Sequence, residues 1–409
     1  MRLVANFTPR VPFYYGWVIV ISAGIVLFIT YGTQYSVGIF FAAIEKDLGW
    51  SRAELSLAFT LYVCTYTTMS TISGRLTDHL GPRKVVMGGG FLLGTGLFLL
   101  SQVHAPWQYY LYYGLIAGLG MSIAYVPCTT TVVRWFTRQQ GLALSLTTLG
   151  SSMGIFVMPL LIGNAVNAWG WRTSYLVVGG SLFLTVLIAS MFLLKDPKSS
   201  GMPLGNSINS NTTDKPSLTL SQAARTRPFW LFAAAIISLK SVGLVPFAHL
   251  PSMIVLDNHG TIQEGALVSS MIGAGAILGV TSSGPILDRF GHRVAAIAMS
   301  AVACIAFTGF FMKPEFVHVF AFVFGSYYGA SLVLMPAIAG NLFGKAHVGA
   351  VFGFIFAGIG IVGSLVNFGA GLIHDSLGSY NLVFYAGSVL CLISMGFFSL
   401  LRMSKSMPQ

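Results

Sequence analysis

Lys240 is the residue whose position most demands a chemical explanation. It lies eleven residues into an apolar stretch that opens at Phe229. A helix advances about 1.5 Å per residue, which puts the ammonium near the middle of a ~30 Å hydrocarbon layer. Inserting a lysine there costs roughly 2.5–3.5 kcal/mol. Such a group is expected to face a wet cavity, where it attracts an anion or changes charge during a cycle. A structural lysine held by carbonyls freed around Gly243 and Pro246 is the competing reading. His249, further along the same stretch, offers a second group able to carry a proton, although a satisfied interfacial histidine fits the pattern as well. Neutral polar residues recur in other apolar stretches: Tyr31, Tyr35, Tyr66, Tyr125, Tyr327, Tyr328 and Asn367. Tyr31 and Tyr35 share one helix face. A tyrosine-lined cavity with one cation suits a small carboxylate carrying an apolar body. Taken singly, each of these residues could equally form a helix–helix hydrogen bond.

Other chemistry is excluded. No acidic residue sits within an apolar stretch beside a base or nucleophile, so an enzyme is not expected. Cys64, Cys128, Cys304 and Cys391 lie in apolar runs, with no C-x-x-C pair and no histidine cluster, so no metal site or cofactor is expected. Gly88, Gly89 and Gly90 lack the preceding strand and following lysine of a phosphate loop. His374 and Asp375 read as a solvated edge. Tyr109, Tyr110, Tyr112 and Tyr113 read as an interfacial aromatic belt.

The elements that must position these residues are membrane helices. Of 409 residues, 55% are hydrophobic and only 8% charged, and mean hydropathy is +0.77; soluble domains carry about a quarter charged residues. Twelve apolar stretches begin near Tyr14, Glu54, Val85, Tyr109, Leu142, Tyr175, Phe229, Gly265, Val294, Val317, Val348 and Leu382. With both termini cytoplasmic, the inside loops hold 17 of the 22 lysines and arginines; the outside loops hold Lys46, Arg52, Arg172 and Lys313. That distribution obeys the positive-inside rule. It accounts for the net charge of +11 through the lipid bilayer, with no nucleic acid partner. A hydrophilic Ser/Asn/Thr-rich stretch divides the chain into residues 1–194, a linker 195–227 and residues 228–409. The expected location is the cell (inner) membrane, multi-pass. The glycine pairs carry no dimer signal, and a monomer is expected.

A motif repeats across that division. Gly74, Asp78, Gly81, Arg83 and Lys84 follow the second stretch; Gly284, Asp288, Gly291 and Arg293 follow the eighth. Both read G-x-x-x-D-x-x-G-x-R, and the step from Gly74 to Gly284 is 210 residues. Duplication is the economical explanation. Glycines permit a tight turn and an aspartate can pair with an arginine, which suits a latch made and broken between two conformations.

On these residues the chain resembles the major facilitator superfamily. The resemblance implies an all-α membrane protein with twelve transmembrane helices in two pseudo-symmetric six-helix bundles. It places a substrate site between them near the midplane and transport by alternating access. It also assigns Asp78, Arg83 and Asp288 a latching role in the outward-facing state. Arg134-Trp135-Phe136, Gly141-Leu142-Ala143, Gly49-Trp50-Ser51-Arg52 and His249-Leu250-Pro251 resemble the monocarboxylate transporter and oxalate/formate antiporter group. Val280 stands where that group carries an arginine, and the eleventh stretch has no lysine; Lys240 would supply the charge from a different helix. The implied function is proton-coupled symport of a small, monocarboxylate-like organic anion. The alternative is a siderophore, metal-chelate or drug transporter of the same fold.

Overall fold

The computed structural model describes residues 14–136, 140–195, 218–344 and 348–401. Twelve long helices occur among them. In the first half these are α1 (Gly16–Leu48), α2 (Arg52–Leu80), α3 (Pro82–Leu100), α4 (Pro106–Trp135), α5 (140–169) and α6 (171–191). In the second they are α7 (Arg227–Asp257), α8 (262–290), α9 (292–312), α10 (Val317–Phe343), α11 (Val348–Leu377) and α12 (Asn381–Leu400). They begin within a few residues of the positions read from hydropathy. Ten stretches among the described residues are long and apolar enough to cross a membrane; one of them, Gly141–Met191, turns at Gly170 and so supplies both α5 and α6. α2 falls outside that set because it is the most polar of the long helices, yet its 29 residues reach about 44 Å at 1.5 Å each.

Twelve passes bring Tyr14, Lys195, Leu218 and Leu401 to one face, here the terminal face. The α1–α2, α7–α8 and α11–α12 turns lie on the opposite one, here the Arg52 face. Local sequence explains the ends. Ser51 Oγ accepts the Glu54 N–H at 3.2 Å, and Glu54 Oε2 accepts the Ser51 N–H at 2.9 Å. Thr261 and Glu264 repeat this capping box at 3.2 and 2.8 Å at the start of α8. The step from Ser51 to Thr261 is again 210 residues, so the duplication extends beyond the loop motif. Gly81 and Gly291, the turn glycines of that motif, have φ of 82° and 79°, a region that side chains with a Cβ rarely adopt.

Two helices break one turn before a proline. Proline has no N–H to give the carbonyl four residues earlier. Pro127 coincides with a break at residues 122–124 of α4, and Pro246 with one at 242–244 of α7. α1 is interrupted at Ser36, whose Oγ bonds back to the Gly32 carbonyl at 2.8 Å. The breaks in α1 and α7 put non-helical backbone at mid-membrane where the halves meet.

The halves pack along three seams: α1 against α7, α2 against α11, and α5 against α8. Gly38 lies against the Phe247 and Ala248 carbonyls, and Gly371 against Ser56 and the Arg52 carbonyl. A side chain at either position would hold the bundles apart. The aromatic run at the start of α4 is not a simple belt. Tyr109 and Tyr113 are buried, with Tyr113 stacked on Tyr62 at 4.6 Å and Tyr109 hydrogen-bonded to Tyr175 at 3.2 Å.

Candidate functional site

A cavity of about 80 Å³ lies between the bundles at mid-membrane. α1 supplies Tyr31 and Tyr35, α2 Tyr66, α4 Tyr125, α7 Lys240 and α10 Tyr328. Leu244, Leu332, Met335 and Phe356 add apolar wall. Lys240 ends the first segment of α7, where the helix dipole favours a cation. Its Nζ lies 3.8 Å from the centre of the Tyr328 ring and 5.4 Å from that of Tyr327, within cation–π range. Among the described residues no carbonyl or carboxylate hydrogen-bonds this Nζ, so the reading of a lysine clamped by freed carbonyls does not hold. Tyr35 and Tyr328 hydrogen-bond to one another through their hydroxyls, across the bundle interface. Tyr35 also packs on Phe247 at 4.1 Å.

Two expected lining residues lie elsewhere. Tyr327 turns its hydroxyl away to donate to the Leu239 carbonyl at 2.9 Å and is 1% exposed. It props up the broken end of α7 and does not line the cavity. Asn367 is fully buried nearer the Arg52 face, with neither amide atom partnered; sixteen polar or apolar groups line the cavity and it is not among them. Both errors share a cause: a sequence stretch shows that a residue is in a span, but not which way its side chain turns. Val280 is buried outside the cavity as well.

A second polar cluster closes the Arg52 face. Arg52, read from sequence as a loop charge, opens α2 and is 3% exposed. Its Nη2 donates to Asp257 Oδ1 at 2.6 Å and its Nη1 to Asp257 Oδ2 at 3.0 Å. Its Nε reaches Glu45 at 3.2 Å, and Nη1 also meets His374 Nε2 at 2.9 Å and the Tyr380 hydroxyl at 3.2 Å. Asp257, His374 and Tyr380 belong to the other bundle, so one guanidinium ties the halves together. Asp375 accepts the Ala53 N–H at 2.9 Å. His374 and Asp375 therefore make interbundle contacts, with His374 half-buried and Asp375 still exposed as a solvated edge would be. His249 joins this cluster and not the cavity: Nδ1 meets the Tyr380 hydroxyl at 2.7 Å, and Nε2 lies 3.4 Å from Ser56 Oγ. The signal available in the sequence was an arginine at a helix start, a pattern too common to mark a hub.

The chain's relatives bear on what this arrangement is. The family model described as Major Facilitator Superfamily matches residues 23–312 and 241–408. The chain belongs to this superfamily. Monocarboxylate transporter 12 of Xenopus laevis is 24% identical, over 97% of this chain and 91% of its own length. Monocarboxylate transporter 13 of Rattus norvegicus is also 24% identical, over 97% and 92%. An MFS-type transporter of Gibberella moniliformis is 26% identical, over 91% and 87%. A solved bacterial homologue of the human lysosomal transporter Spinster superposes with a TM-score of 0.72 at 14% identity, covering 96% of this chain and 97% of that one. The fold is thus that of a membrane transporter and not of an enzyme.

The superfamily loop motif lies on the terminal face. Arg293 donates to the Ser399 carbonyl on α12, tying α9 to its neighbour within one bundle. Gly74 packs against Val126 of α4, Lys84 is exposed, and Arg83 is half-buried. The side chains of Asp78 and Asp288 lie outside the described residues. Interbundle hydrogen bonds are numerous between the cavity and the Arg52 face.

Proposed function

We propose that this transporter carries a small organic anion of the monocarboxylate type, coupled to protons, by alternating access. The observation that carries the reading is Lys240 Nζ: a cation on the wall of a mid-membrane cavity, facing tyrosine rings, with no carboxylate beside it among the described residues. An incoming carboxylate would accept N–H bonds from Lys240 and O–H bonds from the neighbouring tyrosine hydroxyls, and rest its apolar body on Leu244, Leu332 and Met335. Charge-assisted bonds of this kind are roughly twice as strong as neutral ones. The size of the cavity favours a small anion over the siderophore or drug alternative, since drug-sized ligands occupy pockets of about 300–1,000 Å³. The ion pairs and hydrogen bonds that close the Arg52 face support a carrier shut on that side. The basic terminal loops support a cytoplasmic terminal face, and the Asp78, Arg83 and Asp288 motif would latch that face in the opposite state.

The test is calorimetric titration of the protein in nanodiscs with acetate and lactate, and with their neutral amides. Carboxylates should bind and amides should not, and Lys240→Ala should remove the preference. Equal binding of acids and amides, or an unaltered preference in the variant, would overturn the reading.

A further inference from the structure

The contacts of His374 contain a chemical constraint. Arginine has five N–H donors and no acceptor. At 2.9 Å from Arg52 Nη1, His374 Nε2 can accept from Arg52 only through its lone pair, in a neutral imidazole whose proton is on Nδ1; among the described residues that nitrogen has no hydrogen-bond partner, and Asp375 Oδ1 lies 3.9 Å away. The same Nε2 lies 3.3 Å from Asp257 Oδ2, an oxygen that can only accept. Nε2 thus has two possible partners, and they need opposite states of that nitrogen: bare for Arg52, carrying a hydrogen for Asp257. Neutral, it accepts from Arg52 of the first bundle. Protonated, it repels Arg52 and donates to Asp257, a neighbour in its own bundle.

From this geometry we infer that His374 is a proton-binding site that opens the Arg52 face: its protonation replaces an interbundle cation on Asp257 with an intrabundle one. The proton bound is the one on Nε2, and no other covalent bond changes. Every charged or titratable group facing the site takes a part. Glu45 on α1 keeps Arg52 with the first bundle as the halves part. Asp257 on α7 exchanges partners. Asp375 on α11 faces the Nδ1 proton and lets go of the Ala53 N–H. Tyr380, at the start of α12, links Arg52 to His249 on α7, so that the release is felt one helix turn nearer the cavity. Asp257 is side-chain accessible at 30% and His374 at 13%, which leaves a route for a proton from that face. The inference rests on the alternating-access reading, but not on the identity of the cargo.

The experiment measures the separation of the bundles without any substrate. Spin labels are placed at Gln102→Cys and Lys313→Cys, both exposed on the Arg52 face, in full-length protein in nanodiscs with the four native cysteines replaced by alanine. Distance distributions are recorded across the imidazole range, roughly pH 5 to 8. The long-distance population should rise as pH falls in the parent. In His374→Gln, whose amide oxygen can accept from Arg52 but cannot become a cation, it should stay at its pH 8 level throughout. In His374→Lys, a permanent cation, it should be high already at pH 8. A pH response retained in His374→Gln would assign the proton to Asp257 or Glu45 and overturn the inference, as would a parent whose distances ignore pH. Lys240→Ala, carried in parallel, should respond to pH like the parent; if it does, failure of the anion site and failure of this switch are read separately.

Discussion

Arg52 and Lys240 are two buried cations of this transporter, 3% and 8% exposed, and they have opposite surroundings. Arg52 is met by Asp257 in bidentate fashion and by Glu45. Lys240 is met by the faces of tyrosines. A cation with fixed carboxylate partners spends its attraction inside the protein, where it holds two bodies together. A cation that has only π-faces retains most of its attraction for something mobile. The contrast separates a seam from a binding site more clearly than burial does, since burial alone would class the two together.

The comparison can be broken first at Arg52. Arg52 makes charge-assisted hydrogen bonds to two carboxylates, each contributing about 1.5–3 kcal/mol. Arg52→Ala should therefore shift the equilibrium away from the sealed state by at least about a hundredfold. Cys64, half-buried at the seam beside Ser364 at 3.1 Å, is a native reporter: its rate of alkylation should rise accordingly. An unchanged rate would mean the cluster decorates the seam without holding it. Next comes Lys240. A hydrogen bond to a charged group contributes about 1.5–3 kcal/mol, so Lys240→Ala should weaken carboxylate binding by about tenfold to a hundredfold while Cys64 reactivity stays near the parent rate. Tyr35→Phe removes one hydroxyl from the interbundle bond to Tyr328. At about 1 kcal/mol, it should raise Cys64 alkylation about fivefold, far below the Arg52 effect. The smallest change is expected for Thr261→Ala, which removes the N-cap of α8 on the same face. Its cost of about 1 kcal/mol should appear as a lowered unfolding midpoint, with both binding and Cys64 reactivity unaltered.

Much of the architecture was legible. Twelve spans follow from hydropathy because lipid leaves the backbone no partner outside a helix. The turn glycines Gly81 and Gly291 follow from the repeated motif, and the break in α7 from Pro246, whereas Pro159, Pro285 and Pro336 sit in helices that run on through them. The capping boxes at Ser51 and Thr261 were equally readable and carried the same 210-residue step. The site was legible only in part. Lys240, Tyr31, Tyr35, Tyr66, Tyr125 and Tyr328 meet at one cavity, whereas Tyr327, next in sequence to Tyr328, points out of it. Adjacent residues on a helix are about 100° apart, so a span with polar residues on several faces does not say which face meets the other bundle.

What the sequence determined by itself is local and one-dimensional: how many times the chain crosses the membrane, where each helix starts and breaks, that the two halves are copies, and that a charge lies in mid-layer at a cost that some function must offset. The partners of Arg52 required the tertiary structure. Glu45, Asp257, His374 and Tyr380 come from four different helices, and the guanidinium and Asp257 are 205 residues apart. No spacing rule links such positions; only the packing of one bundle against the other brings them within hydrogen-bonding distance.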